Sequence, residues 1–250
     1  MILQDIFFPV ALAVIAAAYA AVGQAGATGY IAAMGLAGYT PDIIRPAALA
    51  LNTLVAAIGT IRFAHAGFIS WRGTYPFILL GLPLSVLGGV TRIPTSVYYP
   101  LVGLLLLAAS GQMFRSASSA TASEIGTTAN PPLPASVLTG GVIGFVAGMT
   151  GIGGGIFIAP LVLTFGWLGM RQTAGLSALF NLLNSAAAFA GLWSTSLIFP
   201  RELPSWLAAV FVGAMVGAGL GIKHLAPRLL RYLLAVLLLI GGLWMLWVRP

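Results

Sequence analysis

Ten apolar segments, separated by short polar connections, run along the whole chain. They lie at about 6–22, 30–39, 43–64, 74–91, 96–114, 135–148, 155–167, 171–193, 204–222 and 229–247. Most of them approach the roughly 20 residues that a helix needs to cross a bilayer. Because lipid offers no partner for backbone N–H and C=O groups, this pattern predicts an all-α polytopic membrane protein.

The composition supports the same class. Hydrophobic residues make up 60% of the chain, charged residues make up 6%, and the mean hydropathy is +1.04, whereas a soluble domain carries about 25% charged residues. The net charge is +7, but the Lys and Arg residues are scattered singly, which is typical of topology signals and not of a nucleic-acid surface. With no cysteine, two separated histidines and few acidic residues, we expect no disulfide, metal site or cofactor.

A polar stretch rich in Ser, Thr and Pro, residues 115–134, divides the ten segments into five and five. Its composition is typical of a flexible linker, so we predict a first membrane repeat at 1–114 and a second at 135–250. Three sets of landmarks recur in the same order. They are Gly23, Gly26 and Gly29 with Gly148, Gly151 and Gly154 (a shift of 125), Arg45 with Arg171 (126), and Gly81, Ser85 and Gly89 with Gly213, Gly217 and Gly221 (132).

The last of these landmarks are small residues at four-residue spacing, one stripe in each half. Such a stripe lies on one face of a helix and lets another helix approach closely. We expect the two striped helices to pack against each other or against a second subunit, which would make a homodimer.

The second segment of each half, 30–39 and 155–167, is too short to cross the ~30 Å hydrocarbon core. It either returns beside the first segment as a hairpin, which makes the repeats inverted, or completes one broken span, which makes them parallel. The hairpin divides the Lys and Arg residues seven to four between the two sides, and the broken span divides them six to five. The positive-inside rule favours two inverted repeats in the bacterial inner membrane, with 115–134 cytoplasmic and both termini outside.

Glycine-rich helix breaks precede both short segments, at 23–29 and 148–155. Freed helix N-termini inside a membrane offer N–H donors that suit an anion, and paired breaks point to the central site of a transporter. Glycines that merely permit close helix crossing would leave the same pattern, whereas a nucleotide-binding loop would need a Gly-Lys-Ser/Thr sequence that is missing. The substrate-binding residues predicted from the breaks are Gly23, Gln24, Gly26, Thr28, Gly29, Gly148, Thr150, Gly151, Gly153, Gly154 and Gly155.

Polar side chains follow each break in the sequence. The further predicted substrate-binding residues are Arg45, Asn52, Arg171, Ser177, Asn181 and Asn184. The two arginines each open a long apolar helix, where they either assist anion binding or only reach the membrane interface. The Ser and the two Asn of the second half share one helix face, and such a polar stripe either binds ligand or holds helices together.

The second half reads GMTGIGGGIFIAPLVLTFGWLGMRQTAGLSALFNLLNSAAAFAG at 148–191, and a degenerate copy lies at 23–59, followed by RFAHAGFISWR at 62–72. Together they resemble the sulfite exporter TauE/SafE family of bacterial membrane transporters over nearly the whole chain. The first copy departs from the second in having Tyr30 where the second has Gly155, and Gly35 where the second has Pro160. The resemblance implies export of small anions such as sulfite, or of organosulfonates such as sulfoacetate.

The predicted function is a secondary transporter of a small anion, most simply sulfite or an organosulfonate, exported by alternating access. No Asp or Glu lies within an apolar span, so a coupling ion, H⁺ or Na⁺, has no evident carboxylate carrier. Two other classes stay open. One is a non-transporting membrane assembly subunit, and the other is an intramembrane hydrolase, to which GLSA at 175–178 bears a partial likeness. We expect no enzymatic activity.

Overall fold

The structure is a computed structural model that describes residues 2–21, 23–118, 131–194, 198–220 and 227–247. These residues form ten α-helices and no strand. The helices are α1 Ile2–Ala21, α2 Ala27–Leu36, α3 Pro41–His65, α4 Trp71–Val90, α5 Thr95–Ser118, α6 Leu133–Thr150, α7 Gly155–Thr164, α8 Met170–Trp193, α9 Leu203–Leu220 and α10 Pro227–Trp247. Each predicted segment coincides with one helix, which confirms the all-α class. Residues 119–130 of the predicted linker lie outside the described part.

Six of the described helices are long and apolar enough to cross a membrane. They are α3, α4, α5, α6, α8 and α10. Their outward faces carry large hydrophobic side chains such as Leu104, Val142 and Leu243, each more than half exposed. An apolar surface of this extent is stable in lipid and unfavourable in water. The helices are therefore those of a multi-pass membrane protein.

The short helix α2 returns along α1 instead of completing its span. Its first residue, Ala27, donates its N–H to Oδ1 of Asn52, midway along α3, at 3.1 Å. Beyond its end, the ring of Tyr39 lies 5.5 Å from the ring of Phe8, near the start of α1. The first two helices therefore form a hairpin, which is one of the two arrangements that the sequence left open.

The second half repeats this hairpin with α6 and α7. Gly151, which follows the end of α6, lies against the backbone of Arg45 in the second turn of α3. Beyond the end of α7, Trp167 contacts Phe77 in the second turn of α4, with ring centroids 6.1 Å apart. Both short helices, α2 and α7, therefore begin inside the protein and end near one of its faces.

Contacts between the long helices give their relative directions. Asn52 of α3 is bonded to Ser185 of α8, whereas Gly59, further along α3, faces Ala178, nearer the start of α8. Because one number rises as the other falls, α3 and α8 are antiparallel. The same reasoning makes α5 and α10 antiparallel, since their closest residues also pair in opposite order.

The small residues of α4 pack against α6 and α8. A Cβ on Gly144 would meet the backbone of Gly81, and one on Gly148 would meet the backbone of Ser85. The numbers rise together, so α4 and α6 are parallel and in backbone contact. The prediction that the two striped helices pack against each other is wrong, because neighbouring helices inside the molecule already occupy the stripe on α4.

The corresponding stripe on α9 packs against α1 in the same manner. A Cβ on Gly213 would meet the backbone of Ala13, and one on Gly217 would meet the backbone of Ala17. These two helices are therefore also parallel. Gly221, the third residue of that stripe, lies outside the described part. In the order of the two halves, α4 corresponds to α9 and α6 corresponds to α1. The α4–α6 contact therefore corresponds to the α9–α1 contact.

Backbone landmarks correct the alignment of the two halves. Left-handed conformations, which glycine adopts without strain, occur at Gly23, Gly26 and Gly38 and again at Gly151, Gly154 and Gly166. The short helices start at 27 and 155 and end at 36 and 164. Each of these pairs differs by 128 positions (for example, 151 − 23). The shifts of 125 and 126 are therefore wrong, and Arg45 corresponds to Thr173, not to Arg171. The shift of 132 agrees with the starts of α4 and α9, at 71 and 203, and with those of α5 and α10, at 95 and 227.

The helix ends define two faces of the molecule. We call the face where α5 ends and α10 begins the linker face; there Arg231 donates to the carbonyl of Ser116 at 3.0 Å. The opposite face, where α1 begins and α10 ends, is called the terminal face. There the ring of Phe8 lies 5.0 Å from the ring of Trp206, near the start of α9.

Candidate functional site

A cavity of about 390 Å³ lies where the two helix breaks meet the middle of α3 and α8. Its polar lining comes from Tyr19, Gln24, Thr28, Arg62, Ser177 and Asn181. Much of the remaining wall is apolar, with Val55 and Ile58 from α3 and Ile156 from α7. A site with a few polar groups set in an apolar wall is typical of small-molecule binding.

A wider cavity of about 1260 Å³ adjoins the first and reaches the linker face. The two cavities share several lining residues, among them Gln24, Phe63, Phe68 and Ser177. Four arginines from four different helices line the two cavities: Arg62, Arg115, Arg171 and Arg231. The cavity at the breaks is therefore approached through an opening that carries positive charge.

Among the described residues, no carboxylate near this opening balances its charge. Neither cavity has an Asp or Glu among its described lining residues. The acidic residues with described side chains are Asp42 and Glu202, at the starts of α3 and α9, so both belong to the terminal face. A passage lined by charge of one sign raises the local concentration of the opposite ion. Here that ion is an anion.

Unpaired backbone donors face the same cavity. Gly155 and Ile156 form the first turn of α7 and Thr28 lies in the first turn of α2, and their N–H groups bond to no other described residue. All three residues line the cavity. Since α2 and α7 both begin inside the protein, the partial positive charge of two helix N-termini meets at one place.

An amide cluster joins the two halves at the floor of the cavity. Asn52 Nδ2 donates to Oδ1 of Asn181 at 3.0 Å and to Oγ of Ser185 at 2.7 Å. Its Oδ1 in turn accepts the N–H of Ala27. Asn181 keeps its Nδ2 group without a partner among the described residues, and Asn181 lines the cavity. The cluster thus orients one more neutral donor toward the space between the breaks.

The second break is held by polar side chains of α8. Asn184 Nδ2 donates to the carbonyl of Gly153 at 3.2 Å, and Ser177 Oγ donates to the carbonyl of Gly155 at 2.7 Å. The first bond satisfies a carbonyl group that the interruption of the helix leaves free, and the second ties the first residue of α7 to α8. An activated serine nucleophile donates its hydroxyl hydrogen bond to an adjacent general base. The Ser177 hydroxyl donates to the Gly155 carbonyl instead, and no described histidine lines either cavity.

The first break is held by aromatic side chains of its own half. Tyr19 and Thr28 share a hydrogen bond between their hydroxyl groups at 2.8 Å. The ring of Tyr30 lies beneath Gly26, where an added Cβ would be 3.0 Å from it. Gln24 lines both cavities, and its Oε1 is buried without a partner. This break therefore contributes side chains to the cavity, whereas the second contributes mainly backbone.

The terminal face is closed below the amide cluster. The rings of Phe8, Tyr39 and Trp206 contact one another with centroids 5.0–5.5 Å apart. Tyr98 donates its hydroxyl to the carbonyl of Thr150 at 3.1 Å, which joins α5 to the end of α6. The passage from the linker face therefore ends at the breaks.

The predicted site residues separate into three groups. Those that line the cavity at the breaks are Gly23, Gln24, Gly26, Thr28, Gly155, Ser177 and Asn181, and Arg171 lines the wider opening. Those that support the breaks without lining either cavity are Asn52, Gly151, Gly153, Gly154 and Asn184. Those that lie apart from both cavities are Gly29, Arg45, Gly148 and Thr150. The last group includes Gly148 because it packs α6 against α4.

Sequence reasoning missed several residues of this region. Ser185 completes the amide cluster, and its spacing of four from Asn181 on the polar stripe could have indicated it. Tyr19, Phe63 and Phe68 line the cavity from three separate segments. No local pattern distinguishes these three from the many other aromatic residues of apolar helices.

Comparisons with known proteins identify the family of the chain. The family model described as "Sulfite exporter TauE/SafE" matches residues 7–245. A protein of Sinorhizobium fredii (strain NBRC 101917 / NGR234), named "Probable membrane transporter protein y4hK", is 49% identical over 244 residues, which are 98% of this chain and 99% of that protein. No solved structure matches the chain. The chain belongs to the sulfite exporter TauE/SafE family of membrane transporters.

Proposed function

We propose that the protein exports a small anion, sulfite or an organosulfonate, across the bacterial inner membrane by alternating access. The single observation that carries the proposal is the meeting of two helix N-termini with unpaired N–H groups in one cavity. Helix N-termini bind anions through backbone N–H donors and the partial positive charge of the helix.

The arginines at the linker face support the sign of the substrate. Arg62, Arg115 and Arg171 are exposed there, whereas the described acidic side chains lie at the terminal face. With the linker cytoplasmic, as the positive-inside rule favours, the observed opening faces the cytoplasm. An anion from the cytoplasm can then enter the cavity before the terminal face opens, as export requires.

The apolar wall favours an organosulfonate over bare sulfite. The cavity of about 390 Å³ is much larger than sulfite needs, and Val55, Ile58 and Ile156 give it hydrophobic sides. A sulfonate head placed at the N-termini would leave its carbon chain against these side chains. Each buried methylene group contributes about 0.8 kcal/mol.

Alternating access follows from treating the halves as inverted repeats. Two features support the inversion: the antiparallel pairing of α3 with α8 and of α5 with α10, and the correspondence of the α4–α6 contact to the α9–α1 contact. In such a fold the two repeats interchange their conformations. The closed terminal face would then open while the linker face closes.

Counterflow in proteoliposomes tests the proposal. Labelled sulfite, thiosulfate and short alkyl sulfonates are offered to the wild-type protein and to Gly155→Ala, whose Cβ would lie 2.9 Å from Asn181 and 3.0 Å from the Ser177 carbonyl. We expect the wild type to exchange at least one anion and the variant to lose at least about fivefold in rate, since crowding a binding site costs about 1 kcal/mol or more.

The matched control is Gly219→Ala, which places the same methyl group in open space on α9. It should transport like the wild type. If the wild type exchanges none of the anions, or if it exchanges cations in preference, the proposed function is wrong. Equal losses in the two glycine variants would assign the effect to helix stability and not to the cavity.

A further inference from the structure

Arg45 is the only buried arginine among the side chains that the structure describes, with 8% of its surface exposed. It lies in the second turn of α3, near the terminal face. Its Nη2 donates to the carbonyls of Gly88 and Gly89 at the end of α4, each at 3.3 Å. Its Nε is buried without any partner. Both described hydrogen bonds of this cation are thus to neutral groups.

This leaves a positive charge without full compensation. A guanidinium group carries five N–H donors, and bonds of this length are near the long limit for N–H···O contacts. The C-terminus of α4 supplies only about half a negative charge. A charged side chain within a membrane span is costly and usually indicates a functional pathway with a partner of opposite sign. The carboxylate of Asp42, one turn earlier on α3, attracts this guanidinium through space but forms no described ion pair with it. A directly bonded anionic partner of Arg45 is therefore missing among the described residues.

The position of Arg45 relates it to the transport path. It precedes Asn52 by seven residues, about 10 Å along α3, and so lies on the other side of the amide cluster from the cavity. The turn of the second break lies directly against it, because a Cβ on Gly151 would be 3.3 Å from its Cα. An anion that passes the second break toward the terminal face would meet this guanidinium next.

We propose that Arg45 forms a second anion site, on the terminal side of the helix breaks, that takes a small oxyanion or halide. The inference rests on the proposed function, because it places the site on the exit path of the same anion. When the site is empty, Arg45 bonds the carbonyls of α4 and holds α3 and α4 together. When an anion arrives, the guanidinium exchanges these long bonds for charge-assisted ones.

The first experiment measures transport from each face separately, with labelled methanesulfonate and proteoliposomes of known orientation. Arg45→Gln is expected to raise the KM for substrate offered at the terminal face at least about tenfold, as loss of a charge-assisted bond implies. The KM at the linker face should change less than about threefold by the same scale. Arg45→Lys, which keeps the charge, should recover most of the difference.

The matched control is Arg92→Gln, an exposed arginine that follows α4, and it should leave both KM values unchanged. Equal effects of Arg45→Gln at the two faces would overturn the proposal, because a purely structural cap of α4 has no preference for one side. If the wild type carries neither methanesulfonate nor sulfite, the proposed function fails, and the second experiment still decides the role of Arg45.

The second experiment needs no transport. The melting temperature of the purified protein is measured with increasing sodium chloride, sodium methanesulfonate or sodium gluconate. Chloride or methanesulfonate should stabilise the wild type and Arg92→Gln in a saturable manner relative to gluconate, and Arg45→Gln should lose this response. A response to methanesulfonate alone identifies the transported anion as the occupant, and a response to chloride shows a general anion site.

Two results of the second experiment contradict the proposal. One is a wild type that responds equally to all three anions, and the other is an Arg45→Gln variant that keeps the wild-type response. If Arg45→Gln does not fold, Arg45→Lys replaces it. A lysine holds an anion as a point charge without the planar donors of arginine, so its half-saturating anion concentration should rise several-fold, and an unchanged value would also contradict the proposal.

Discussion

The two helix breaks share two backbone landmarks and have different surroundings. Gly23 and Gly26 in the first break correspond to Gly151 and Gly154 in the second, and all four have a left-handed conformation. Aromatic side chains of α1 and α2 pack around the first break, whereas amide and hydroxyl groups of α8 bind the carbonyls of the second. The second break has one more left-handed glycine, Gly153, which touches the amide cluster.

This difference indicates that the two breaks present different chemical groups to the same cavity. In the proposed function, the bare N–H groups at the start of α7 in the second break would bind the charged head of the substrate. The first break supplies Gln24 and Tyr19, and it lies beside the apolar wall of α3. A duplicated scaffold can therefore form an asymmetric site, because side chains diverge while the backbone geometry, which depends on glycine, is retained.

Substituting the glycines at the two breaks should produce the largest contrast. Gly153→Ala forces a Cβ into Asn181 and Asn52 at a left-handed position, so we expect a loss of about 3 kcal/mol or more in stability, from strain and overpacking together. Gly23→Ala meets only the ring of Phe63, at 3.6 Å, and should cost about 1–2 kcal/mol for the conformation alone. Thermal unfolding in detergent measures both. Equal losses would remove the distinction between the breaks.

Removing one polar contact from each break is the next test. Asn184→Ala leaves the buried carbonyl of Gly153 without its partner and should cost about 1–3 kcal/mol. Tyr19→Phe removes one hydroxyl–hydroxyl bond at the first break and should cost about 0.5–1.5 kcal/mol. Transport should fall more in the first variant than in the second. A larger loss in Tyr19→Phe would mean that the first break is the more tightly held.

A series of alkyl sulfonates tests where the substrate tail lies. Affinity for the wild type should rise up to about fourfold for each added methylene group, until the cavity is filled. Val55→Ala in the apolar wall should flatten this rise, whereas Ser177→Ala, which releases the Gly155 carbonyl, should weaken all members alike. The half-saturating concentrations in counterflow provide the measurement. A flat series in the wild type would favour sulfite itself as the substrate.

The smallest expected effect concerns the positively charged opening. Arg171 is exposed and stacks on Phe68, with its guanidinium carbon 5.4 Å from the ring centroid. Arg171→Gln should raise the KM about threefold at low ionic strength and hardly at all in high salt, because exposed charges are screened beyond the Debye length of about 10 Å at 0.1 M. The measurement is counterflow across a salt series. An effect that persists in high salt would place Arg171 at the bound substrate.

Much of the fold could be predicted from the chain. The apolar segments coincide with the ten helices, since hydrophobic length is a local property, and the Gly-rich stretches coincide with the interruptions before α2 and α7. The register between the halves could not be read from identities, because glycines also serve close packing, as Gly148 does against α4. Only backbone conformation separates the two uses.

The candidate site was predicted less completely than the fold. Ser177 and Asn181, which their spacing puts on one helix face, both line the cavity, and their role as substrate-binding residues stays a prediction. Arg45 and Arg171 were paired as equivalents, yet they lie at opposite faces, because α3 and α8 are antiparallel and the arginines stand near the starts of both helices. The direction of a helix depends on how the bundle assembles, so the residues around either arginine do not indicate it.

The sequence by itself determined that this is a helical membrane protein with two Gly-interrupted halves, because lipid demands apolar length and helix breaks demand glycine, and both requirements are local. The tertiary structure alone decided that the short helices return as hairpins, that the two breaks correspond at an offset of 128, and which polar groups line the cavity. These depend on contacts between residues far apart in the chain, such as Asn52 with Asn181, and such contacts form only when the helices pack.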